Sequence, residues 1–117
     1  MKRAFWGIID GIDINIEAGY LLAGKYASAG KILYGDSIKS LENFEKKIDL
    51  FINDSDHSAD YEYNEYLTIK DKLAQNSVVL GDNSNITSKL SEFSMQMDRK
   101  FIYFQEFPLD HWVRGGV

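Results

Sequence analysis

Ile48-Asp49-Leu50-Phe51-Ile52-Asn53-Asp54-Ser55-Asp56-His57-Ser58 is the stretch on which the fold turns. An apolar run stops abruptly in carboxylates, an imidazole and hydroxyls. Such a run reads as a buried strand that delivers polar groups to one edge of a sheet, with a helix following at once. Four further apolar runs recur along the chain, at Trp6 to Ile14, Lys31 to Tyr34, Ser77 to Leu80 and Lys100 to Phe104. They are near-continuous rather than alternating, the pattern of strands buried on both faces of a parallel sheet. The spacing between them predicts helices over Ile16–Ala29, Ile38–Lys47, Ala59–Gln75 and Ile86–Met97. Gly30 is a stop for the first of these and Ser58 a cap for the third. In the last, Ile86, Leu90, Phe93 and Met97 form one stripe. The tyrosines and Met97 read as core or rim packing.

Strand alternating with helix means an α/β fold, with a mostly parallel sheet and right-handed crossovers. A chain of 117 residues is one domain, 1–117, with a single core. Its net charge of −5, with thirteen scattered basic residues, argues against nucleic acid as a partner. The absence of cysteine excludes a disulfide framework and a thiolate metal site. The run Ala4 to Ile9 ends at Asp10, too short for a signal core or a membrane span, so the expected setting is cytoplasmic with no membrane partner.

The strand ends carry the chemistry. The first closes on Asp13, the second on Gly35-Asp36-Ser37, the third on Asp54 and the fourth on Gly81-Asp82-Asn83. In a parallel sheet the carboxyl ends share one edge, and ligands bind in the crevice there. Two carboxylates ~4 Å apart repel by about 1–4 kcal/mol at effective dielectrics of 80 to 20, so a shared rim calls for a cation or a donor-rich ligand. Asp54, Asp82 and Asn83 offer the oxygen ligands that Mg²⁺ prefers. For them a functional role is favoured over capping, because Ser58 and Ser84 or Asn85 are available as caps. For Asp13 and Asp36, a helix cap and a ligand contact both stand open. His57 is either a surface imidazole or, beside a metal, the acceptor of a substrate proton. His111, in the irregular tail, reads equally as an imidazole of that kind or as a local hydrogen-bonding residue.

These residues resemble the class I S-adenosylmethionine-dependent methyltransferases. Gly11-Ile12-Asp13 is similar to the end of the family's second strand, whose acid binds the cofactor ribose, and Gly35-Asp36-Ser37 to the end of its third, near the adenine. Ile48 to Ser58 is similar to the fourth strand of the metal-dependent O-methyltransferases of the catechol, caffeoyl-CoA and macrocin types. The resemblance implies S-adenosylmethionine contacts at Asp13, Asp36 and Ser37. It implies a divalent cation such as Mg²⁺ on Asp54, Asp82 and Asn83, His57 as the base, and a small hydroxylated molecule as substrate. It also implies a partial Rossmann-like fold of five strands and four helices, lacking the family's first strand and glycine-rich loop, since no Gly-x-Gly precedes Gly11. A fragment with weak or absent cofactor binding, prone to pair with itself or with a complementing chain, is expected on that ground.

Two other classes compete. In a phospho-accepting receiver domain Asp54 would be the acceptor, but Asp10 and Asp13 are a poor acidic pair and Gln105-Glu106 supplies no lysine after the last strand. A non-enzymatic remnant, or one part of a split enzyme, is the third reading.

Overall fold

The computed structural model describes residues 7–56 and 58–105. Trp6, His57 and His111 lie outside them. The chain divides into two compact units between Phe44 and Glu45.

In the first unit, β1 (Ile9–Asp13) and β2 (Gly30–Tyr34) pair in parallel, with Ile9 opposite Gly30 and Asp13 opposite Tyr34. The helix expected over Ile16–Ala29 is instead a series of turns followed by a short 3-10 helix at Gly24–Ala29. The cause is local: Gly19 and Gly24 adopt φ of +81° and +56°, values that break a right-handed helix. A short helix, α1 (Ser37–Glu42), follows β2. It stops short of Lys47 because Asn43 ends it, its side-chain amide donating to the Lys39 carbonyl at 2.9 Å. Leu41 is the buried side chain of α1.

In the second unit, β3 (Ile48–Asn53) and β4 (Leu73–Gly81) pair in parallel across α2 (Ala59–Ile69), and α3 (Lys89–Gln96) follows. Ser58 caps α2 as expected, its hydroxyl accepting from the Tyr61 amide. The helix ends six residues before Gln75, since Leu73 is drawn into pairing with Ile48. Helical spacing loses there to strand pairing. The register then slips, so that Leu50 meets Val78, and Arg99 secures the irregular stretch by donating to the carbonyl and hydroxyl of Ser77.

The core of this unit is Tyr66, Leu90 and Phe93, packed against Phe51, Tyr63, Leu73 and Val79. The Tyr66 ring stacks on Phe93 with centroids 5.4 Å apart and meets Phe51 edge-on at 6.5 Å. Full burial of side chains such as Ile69 and Phe93 contributes about 1.5–3 kcal/mol each. α3 starts at Lys89 rather than Ile86, because the Ile86 and Thr87 amides both turn back onto the Asn83 carbonyl. Ile86 is accordingly exposed, and Met97 is exposed as well, so the four-residue stripe buries only Leu90 and Phe93.

Two expectations are corrected. The strands are not buried on both faces: the cross-strand pairs Leu50–Val78 and Ile52–Leu80 lie on one face of the sheet, and all four residues are exposed. Nor is there a fifth strand at Lys100–Phe104, where Phe101, Ile102, Tyr103 and Phe104 are exposed without regular strand structure. The described residues thus hold four strands rather than five, as a two-stranded parallel sheet in each unit. Three α-helices, not four, accompany them. Apolar composition can propose a strand, but only a neighbouring backbone completes one. Among the described residues no helix is long and apolar enough to cross a membrane.

Candidate functional site

Each unit gathers acids at the carboxyl end of its parallel pair. In the first, Asp13 closes β1, and its main-chain carbonyl accepts from the Gly35 amide at 2.9 Å, which places Gly35-Asp36-Ser37 on the adjoining strand end. Both acids also have local work. Asp13 Oδ1 accepts from the Asn15 amide at 2.8 Å, closing a turn. Asp36 Oδ1 accepts from the Lys39 amide at 2.9 Å, capping α1, and Ser37 is the first residue of that helix. Capping, left open by the sequence, is therefore a use that Asp36 does serve.

In the second unit Asn53 and Gly81 are opposite each other at the ends of β3 and β4. Asp54 and Asp82 follow them directly, and the Asp82 amide donates to the Asn53 carbonyl at 3.0 Å. The two acids are thus brought to one rung of one sheet edge, and both are exposed. Asn83, by contrast, is 2% exposed. His57 falls outside the described residues. Among the described residues no group of three or more His, Asp or Glu is assembled to hold a metal ion. Hard oxygen donors from one or two carboxylates, completed by water, still suit Mg²⁺, which retains much of its hydration.

Behind this rim lies a buried polar layer that the sequence did not announce. Glu62 and Glu65 of α2 are buried, one helical turn apart. Glu65 Oε2 accepts from Asn53 Nδ2 and from the Ser55 hydroxyl, the latter at 2.5 Å. Glu62 accepts from the Tyr66 hydroxyl at 2.7 Å and from the Thr87 hydroxyl at 2.6 Å. Burial, and then the hydrogen bond to Glu62, push the Tyr66 hydroxyl well above the usual tyrosine range. Gly81 makes room for that hydroxyl, since a Cβ there would sit 2.6 Å from Tyr66 Oη. The Asn53 side-chain oxygen is buried with no hydrogen-bond partner. The signal for this layer is the spacing 62, 65, 66, 69, an inward helical stripe in which two apolar positions are occupied by glutamate.

A family model described as a methyltransferase domain matches residues 4–84. No curated protein and no solved structure matches the chain. The matched segment contains all four strands and every acid at their ends.

Proposed function

The chain belongs to this methyltransferase-domain family, and on that premise we propose that it acts as an S-adenosylmethionine-dependent methyltransferase on a small-molecule hydroxyl, assisted by a divalent cation. The receiver reading of Asp54 falls away with the family assignment. The observation that carries the proposal is the family match itself, which spans both sets of strand-end acids.

The proposed roles follow from residue chemistry. The Asp13 carboxylate is suited to a ribose diol, whose two hydroxyls are donors. Asp36 and Ser37, on the adjoining strand end, are proposed to border the adenine. By donor type, Asp54 and Asp82 suit a hard cation and would hold it, and the amide of Asn83, next in the chain to Asp82 but buried, is proposed as the third ligand. A cation there, when bound, lowers the pKa of a substrate hydroxyl. His57 is proposed to accept the hydroxyl proton, for which imidazole is suited near neutral pH. The protein's own contribution is then to orient the acceptor oxygen.

Chemical-shift titration with S-adenosylmethionine and thermal melts in Mg²⁺ test these assignments. The expected outcome is perturbation at Asp13 and Asp36 in the wild type, weakened at least about tenfold in Asp13→Ala, the loss of one or two charge-assisted hydrogen bonds. Mg²⁺ is expected to raise the melting temperature of the wild type and not of Asp82→Ala. No response to millimolar S-adenosylmethionine would sink the cofactor assignment. Equal Mg²⁺ shifts in both proteins would remove Asp82 from the site.

A further inference from the structure

We propose that Glu65 is the positioning residue that fixes Asp54 relative to Asp82. The proposal rests on the reading above, in which those two acids hold a divalent cation. Asn53 and Ser55 flank Asp54 in the chain, and both donate to the same atom, Glu65 Oε2. The backbone of Asp54 is therefore clamped from either side to one point on α2. Asn53 extends the clamp to the second strand, because its main-chain carbonyl accepts from the Asp82 amide at 3.0 Å. One buried side chain thus links the two exposed acids through Asn53 and Ser55.

The placement is rigid for physical reasons. Glu65 and Asn53 are each 2% exposed, so water does not compete for their hydrogen bonds. Glu65 sits inside an eleven-residue helix whose buried stripe includes Tyr66 and Ile69. Glu62 does the corresponding work one turn earlier: it holds the Thr87 hydroxyl, and the Thr87 amide donates to the Asn83 carbonyl. A cation site loses affinity when its ligands must be ordered on binding, so anchoring of this kind acts on ligand geometry rather than ligand identity.

The test compares the full chain with Glu65→Gln and Glu65→Leu. Glutamine retains an acceptor oxygen for both donors, whereas leucine has similar bulk and no acceptor. Mn²⁺ serves as the probe, read by paramagnetic broadening of the Asp54 and Asp82 amides, and amide exchange reads order at Asp54 and Ser55 directly. In Glu65→Leu, Mn²⁺ binding is expected to weaken at least about tenfold, and exchange at Asp54 and Ser55 to quicken by a similar factor relative to Leu50 and Phe51. Glu65→Gln is expected to restore most of both. Wild-type affinity and wild-type exchange in a folded Glu65→Leu would overturn the proposal. If the wild type itself binds no Mn²⁺, the cation reading fails, and exchange at Asp54 and Ser55 alone decides whether Glu65 sets the rim. Should the leucine variant not fold, Ser55→Ala removes one arm of the clamp; faster exchange at Asp54 supports the proposal, and unchanged exchange refutes it.

Discussion

Tyr66 shows how one side chain joins the apolar core to the polar layer. Its ring stacks on Phe93, while its hydroxyl donates to Glu62. Tyr66→Phe keeps the ring and removes a donor from a fully buried glutamate, so a loss of about 1–3 kcal/mol is expected in urea unfolding. The pH dependence follows from the direction of the shift. Because the folded state raises the Tyr66 pKa, its contribution is complete below the unfolded tyrosine value of about 10 and is lost as pH rises towards the raised one. Alkaline melts should therefore lose stability more steeply for the wild type than for Tyr66→Phe. Parallel curves would contradict the buried assignment.

At the scale of elements, the end of α3 carries a strained backbone. The Arg99 amide donates to the Ser94 carbonyl at 2.8 Å and the Asp98 amide to Met95 at 3.3 Å, the paired bonds of a left-handed helix stop. That stop favours glycine, yet Asp98 occupies it with φ of +50°. The left-handed conformation costs an L-residue roughly 1–2 kcal/mol, and the added freedom of glycine in the unfolded chain returns about 0.4–1 kcal/mol of that. Asp98→Gly is accordingly expected to stabilise by about 0.5–1 kcal/mol, visible as a higher urea midpoint at unchanged slope. A lower midpoint would mean that the aspartate side chain contributes more than its backbone costs. At the other end of α3, Lys89 and Glu92 pair at 2.9 Å, and the Ser88 hydroxyl and that lysine together hold the Glu92 carboxyl below its usual range. The pair is solvated and contributes little.

At the scale of the whole molecule, burial is unevenly shared. Ile48, Tyr66, Ile69, Leu90 and Phe93 are buried in the unit that begins at Glu45, whereas Leu41 is the buried apolar side chain described in the unit before it. Local opening is resisted by buried apolar contact. The slowest-exchanging amides are therefore expected in β3, β4 and α2, and those of β1, β2 and the 3-10 helix should exchange sooner. Uniform protection across both units would show that the division has no energetic meaning.

The sequence alone determined the four strand-end acids, the parallel α/β character and the Ser58 cap, because each is written in a few neighbouring residues: an apolar run, its abrupt end, and a side chain able to bond its own backbone nearby. It also carried the family resemblance on Gly11-Ile12-Asp13 and on Asn53 to Ser58. Tertiary structure alone decided that Glu62 and Glu65 face inward, that Leu73 leaves its helix to pair with Ile48, and that Lys100–Phe104 makes no strand. Those outcomes depend on partners far along the chain. A glutamate is tolerated in an interior only where Asn53, Ser55, Tyr66 and Thr87 arrive to donate to it, and a strand exists only where a second backbone lies alongside.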